Sequence, residues 1–187
     1  MRKIILFNLI TLDGYFEGPN KWDIDWHRVD DEFNQFSIEQ LGQADGLIFG
    51  RVTYQGMASY WSTADALKDD TAVAARMNAI RKYVFSRTLD QVEWNNSVLV
   101  KGDAVKELQK LKGQPGKDLL IFGSGNLAAT FTSHQLIDEY RLIVNPVVLG
   151  RGNPLFSQNI GPLKFRLNNT RVFHNGNILL SYQLVDQ

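Results

Sequence analysis

Cysteine is missing from this chain altogether. Disulfides, thiolate nucleophiles and cysteine-ligated zinc are excluded with it. Only His27, His134 and His174 are left as nitrogen ligands. They share no i, i+4 spacing, so no transition-metal site is expected. There is no excess of charge either: 20 Lys plus Arg stand against 20 Asp plus Glu. Broad capture of nucleic acid needs a basic excess or stripe, and the basic residues here are scattered, so no nucleic-acid partner is expected. No apolar run approaches the roughly 20 residues that cross a bilayer. The stretch Ile4 to Phe7 behind Met1-Arg2-Lys3 is broken by Asn8, Thr11 and Asp13, and no small-residue cleavage site follows. It does not read as a signal peptide, which leaves a cytoplasmic protein without a membrane partner as the expectation. Ser124 sits in no G-x-S-x-G elbow, so hydrolase chemistry is not suggested. Repeats, low-complexity tracts and linkers are absent, and residues 1–187 read as one domain.

What is present is a regular alternation of short apolar runs and helical patterns. Lys3 to Ile10 is a nearly continuous apolar run, as a central strand covered on both faces requires. Thr11 to Trp26 reads as one long loop with Gly14, Gly18, Pro19 and two tryptophans, and loops of that length are often lids. Asp30 can cap a helix to about Gly42 with Phe33, Phe36 and Leu41 inward. A strand follows at Gly46 to Gly50; Val73, Met77 and Ile80 mark a second helix; Lys82 to Ser86 and Ser97 to Lys101 are strands. Asp103 can cap a third helix ending at Gly113, and Asp118 to Phe122 leads through a glycine turn into a short helix from Asn126. Tyr140 to Val148 reads as a long strand, and Asn175-Gly176 is a type I′ hairpin signal between two more. Helical connections early and a hairpin late predict an α/β fold with a mixed, mostly parallel sheet and antiparallel strands at one edge.

Ligands of open α/β sheets sit outside the carboxyl ends of the strands. Three such ends share a composition: Gly50-Arg51-Val52-Thr53, Ser86-Arg87-Thr88 and Gly123-Ser124-Gly125-Asn126. Two offer an arginine and a hydroxyl, the third bare backbone at a helix start. Phosphate binding wants that combination, because guanidinium forks pair with phosphate oxygens and helix N-termini present free N–H groups. Taken singly, the glycine turn is equally a plain tight turn, and Arg51 and Arg87 read first as solvated surface charges; it is all three ends matching that points to phosphate. A Rossmann domain would place an acid about 20 residues after the glycine turn, where Asn145 stands instead. In the long loop, Asp13, Asp25 and Trp26 are the candidates for substrate contact, by hydrogen bonding, proton supply and stacking.

The order of these segments resembles the dihydrofolate-reductase-like fold, and more closely its branch containing the reductase domain of riboflavin biosynthesis. The resemblance is carried by Ile10-Thr11-Leu12-Asp13-Gly14, Gly50-Arg51-Val52-Thr53-Tyr54, the segment Lys82 to Leu89, the segment Ile121 to Ala128, and Val144-Asn145-Pro146-Val147-Val148-Leu149-Gly150. It implies a three-layer α/β domain, an NADPH-dependent reductase acting on a small molecule, and a homodimer. By position it implies that Gly123, Ser124, Gly125, Asn126 and Leu127 take the pyrophosphate. Gly50, Arg51, Thr53, Ser86 and Arg87 would surround the adenosine ribose and its 2′-phosphate, and Thr11, Leu12 and Gly14 would border the nicotinamide. In the riboflavin branch, 5-amino-6-(5-phosphoribosylamino)uracil receives hydride at C1′ of its ribose. The zinc deaminase to which that enzyme is commonly fused needs a cysteine pair that this chain lacks. Dihydrofolate reductase proper and a non-catalytic nucleotide- or flavin-binding module are the alternatives.

Overall fold

A computed structural model describes residues 1–156 and 160–185. Its first half holds β1 (Ile4–Ile10), β2 (Tyr15–Glu17), α1 (Asp31–Gly42), β3 (Ala44–Gly50), α2 (Arg51–Trp61), α3 (Ala64–Asp69), α4 (Thr71–Ala79) and β4 (Arg81–Phe85). The second holds β5 (Ser97–Val100), α5 (Ala104–Gly113), β6 (Asp118–Phe122), α6 (Gly125–Ser133), β7 (Glu139–Val144), β8 (Asn153–Pro154), β9 (Phe165–Val172) and β10 (Ile178–Leu184). Eight strands form one sheet in the order β5-β4-β3-β6-β1-β7-β10-β9. Pairing is parallel from β5 to β7; β10 runs antiparallel to β7, and β9 antiparallel to β10. The mixed sheet and late antiparallel hairpin are those the sequence pattern predicts.

Side-chain alternation along the strands builds the three layers. Ile4 and Leu6 of β1 join Ile48, Leu119 and Ile121 beneath Leu108 and Leu111 of α5 and Ala128 and Phe131 of α6. Ile5 turns the other way, with Leu47, Phe49, Val84 and Leu120, against Leu41 of α1, Tyr54 of α2 and Val73 and Met77 of α4. Phe7 and Ile143 meet Phe33, Phe36, Phe173 and Leu179 in a third cluster under α1. Each of these buried side chains contributes about 1.5–3 kcal/mol, so both faces of the sheet are closed by helices with no staple.

Four local expectations are refined. The loop from Thr11 to Trp26 contains β2, which pairs antiparallel with β8. The connection after β3 holds α2 and α3, which the pattern did not show; Gly56, Val52 and the aromatic residues of α2 are weak helix formers that only packing stabilises. β7 stops at Val144 and does not run to Val148, because Asn145 turns its side chain back to the carbonyls of Ile10 and Ile143 and Pro146 has no N–H to donate. The hairpin forms, but as a three-residue loop: Phe173 N–H reaches Asn177 O, Gly176 N–H reaches Phe173 O, and Gly176 alone has positive φ (90°). A type I′ turn needs positive φ at two positions.

Candidate functional site

The helix starts divide into two kinds. Asp30, Thr63, Asp70 and Asp103 each accept a hydrogen bond from their own first turn and so cap α1, α3, α4 and α5. The caps of α2 and α6, Gly50 and Ser124, supply no such bond, and neither helix carries an acid in its first turn. α2 even begins with Arg51, a cation at the positive end of the helix dipole. Such an end lowers its free energy by taking an anion on its exposed N–H groups.

These two ends lie side by side. β3 and β6 are neighbours in the sheet, with Ile48 opposite Ile121, so Gly50 and Gly123 leave adjacent strands. Gly123 (φ 61°) and Ser124 (φ 59°) are both left-handed, which swings the chain sharply into α6. Asn8 of β1 accepts the Gly123 N–H at 2.9 Å. Ser124 Oγ accepts the Gly50 N–H at 2.7 Å and lies 2.9 Å from Thr53 Oγ1.

Over this junction lies a cleft of about 1050 Å³. Its floor is Gly50 to Thr53, leading into α2, and Gly123 to Leu127, leading into α6; Phe85, Met57 and Thr130 extend it; Phe16, Trp22, Ile24 and the β8 segment Asn153 to Leu155 form its roof. The roof is held at both ends. Asp13 accepts N–H groups of Leu149 and Gly150 and the Thr11 hydroxyl, which together hold its carboxyl below the usual range, the Thr11 bond most of all. At the far end Asn145 accepts the Arg28 N–H, while Asn175 and Asn177 donate to its carbonyl. Between them Glu17, the acid of the lining, is committed to Trp22 N–H and Asn153 Nδ2. Trp22 (φ 63°) lays its indole over Gly56, where any side chain would collide with the ring. The Phe16 ring lies on Gly125, so that a Cβ there would come within 2.8 Å of it.

Residues 2–179 match the RibD C-terminal domain. The chain belongs to that family. It is 34% identical to the uncharacterized Bacillus subtilis (strain 168) protein YyaP, over 97% of this chain and 94% of that one. Among solved structures it resembles a protein of Shewanella sp. PV-4 whose name assigns it provisionally to riboflavin biosynthesis, with a TM-score of 0.75 and 25% identity over 98% and 99% of the two chains. Dihydrofolate reductase from Enterococcus faecalis, solved with NADP(H), superposes with a TM-score of 0.65 at 12% identity, over 98% and 97% of the chains. That likeness shows a dihydrofolate-reductase-like fold.

Within this RibD C-terminal domain, Gly50, Arg51, Thr53, Gly123, Ser124, Gly125, Asn126 and Leu127 all line the cleft. The other positions singled out in the sequence stand outside the lining. Ser86 Oγ accepts the N–H groups of Thr88 and Leu89, and Arg87 is exposed on the Asp103 side of the turn. Thr11, Leu12 and Gly14 belong to the strand-end turn, where Thr11 is buried, Leu12 exposed, and Gly14 O bound by Leu155 N–H. Asp13 is a backbone clamp, Asp25 is exposed, and Trp26 donates its indole N–H to Asp23 O. Sequence reasoning missed Phe16, Met57, Phe85, Thr130 and the β8 segment. Only Phe16 carried a signal, as an aromatic residue beside glycines within the long loop.

Proposed function

We propose that this chain is an NADPH-dependent reductase of the riboflavin-reductase type. The observation that carries the proposal is the pair of uncapped helix N-termini on one cleft. A dinucleotide pyrophosphate supplies the anion they lack, and Arg51 is placed to meet a ribose 2′-phosphate. Bound there, NADPH would supply hydride to a substrate carbon. The chain's part is to hold donor and acceptor in near-attack geometry and to keep water out under Phe16, Trp22 and β8. Among the described residues no side chain of the lining is a free acid or base, because Glu17 is already committed. Positioning therefore carries the rate, and a ring-opening reduction at C1′ of a ribosylaminopyrimidine suits such a site.

The start of α1 speaks against folate reduction. Asp30 is spent as a helix cap, and Glu32 accepts from His174 and Arg171. Neither is free to hold a pterin. The reading extends to a cytoplasmic homodimer. Val144, Ile178 and Val172 stand in one cross-strand row of β7, β10 and β9, with Ile178 39% and Val172 71% exposed. No helix among the described residues is long and apolar enough to cross a membrane.

Titration with NADPH and NADH tests the cofactor, and NADPH oxidation over ribosylaminopyrimidine, dihydropterin and simple carbonyl substrates tests the chemistry. NADPH binding with turnover of the aminopyrimidine is expected. Binding of neither dinucleotide would overturn the reading.

A further inference from the structure

The N-cap position of a helix is where a serine normally bonds its own N2 or N3 amide from an extended backbone. Ser124 does neither. Its backbone is left-handed (φ 59°, ψ 66°) and its hydroxyl makes no bond to α6. A non-glycine residue holds that conformation only under strain, so something outside the helix must compensate. The hydroxyl is turned across to α2, where it takes the Gly50 amide at 2.7 Å and contacts Thr53 Oγ1 at 2.9 Å. Thr53 is buried, and its methyl closes on Gly123, where a Cβ would meet it at 3.1 Å. Asn8 holds the Gly123 amide from below.

From this geometry, and resting on the cofactor reading above, we infer that Ser124 and Thr53 are positioning residues. Their hydroxyls form a tie that sets the spacing between the N-termini of α2 and α6. The bond consumes the Gly50 amide and engages both hydroxyls, so the groups left for a ligand are the later amides of each helix. With the tie in place, those two sets of amides stand at one fixed separation. A dinucleotide whose linked phosphates reach both ends gains from that spacing. A mononucleotide phosphate on one helix does not.

The test uses NADPH and AMP as probes on the whole protein, with Kd and melting temperature measured together. Ser124→Gly removes the tie and relieves the left-handed strain, so it should fold at least as well as the wild type. Thr53→Val keeps the methyl against Gly123 and drops the hydroxyl, while Thr53→Ser keeps the hydroxyl. One lost hydrogen bond corresponds to about five- to tenfold. NADPH should weaken by about that factor in Ser124→Gly and in Thr53→Val and AMP by clearly less, with Thr53→Ser restoring most of the NADPH affinity. The double variant Ser124→Gly/Thr53→Val should be no weaker than either single one, because both remove the same tie. Equal losses for NADPH and AMP, or wild-type NADPH affinity in Ser124→Gly, would overturn the tie alone. A wild type that binds no pyridine dinucleotide would remove the cofactor reading and the tie with it.

Discussion

Acid should loosen the roof of the cleft through His27. Its imidazole meets Trp26 edge-on with centroids 4.4 Å apart, and its Nε2 is buried without a hydrogen-bond partner among the described residues. Burial alone pushes its pKa from 6.5 down to about 4. The folded protein therefore holds His27 neutral where the unfolded chain is already protonated, and the unfolded state binds more protons between those two values. Stability from this group is complete above pH 6.5 and is lost as pH falls to about 4. A shift of that size corresponds to about 3 kcal/mol, or roughly 6–12 °C in melting temperature for a chain of this length. His27→Gln, with His27→Phe as a second variant, removes the titration. Thermal melts from pH 7.5 to 4 should converge with the wild type at acid pH, the variants losing roughly 6–12 °C less. NADPH affinity of the wild type should hold until pH nears about 4, where folded His27 takes up its proton, and then fall, since Arg28, the clamped end of the roof, is the next residue. Parallel melting curves, or an imidazole titrating near 6.5 by NMR, would refute the reasoning.

Arg51→Ala should lower NADPH affinity about ten- to a hundredfold, the worth of a charged hydrogen bond, and leave NADH nearly unchanged. Arg87→Ala should change neither, and equal effects of the two in parallel titrations would count against the geometry. Gly56→Ala should displace the Trp22 indole from its seat, seen as a red shift and greater quenching of tryptophan emission. Unchanged emission would show that the ring does not depend on that glycine. Glu32 accepts the His174 N–H, the His174 ring and Arg171, and its carboxyl is held down to about 2, chiefly by the His174 backbone. Its stabilising bonds are therefore present above the ordinary value of 4.5 and lost as pH falls toward 2. The Glu32→Gln variant should show a shallower acid loss in that range, and identical slopes would refute this. Light scattering should give a dimer mass for the wild type and a monomer for Ile178→Lys combined with Val172→Glu; a monomeric wild type would end the dimer proposal.

Several features were legible from local chemistry because they are decided within a few residues. Asp30 and Asp103 cap the helices they precede, since an N-cap bond closes over three residues. The run Ile4 to Ile10 is a central strand because only a strand covered on both faces tolerates so continuous an apolar stretch. The composition of the turns at Gly50 and Gly123 marked both as candidates for one site, and parallel strand order brings those two turns together. The turn at Ser86 and Arg87 follows the same pattern, yet β4 lies one strand farther out and Ser86 closes the turn on itself. Asp13 and Trp26 read as ligand contacts, but contacts more than a hundred residues away in sequence turn Asp13 into a clamp on Gly150. Lys82 stood in the sequence only as the start of a strand; it is fully buried, with Nζ donating to the carbonyls of Asn78, Ile80 and Asn95. Capping, turn chemistry and periodicity act between neighbours and are written in the chain. Which amides stay free, which carboxylates are already bonded and what roofs the cleft depend on segments that meet only when the sheet assembles, and tertiary structure alone decided them.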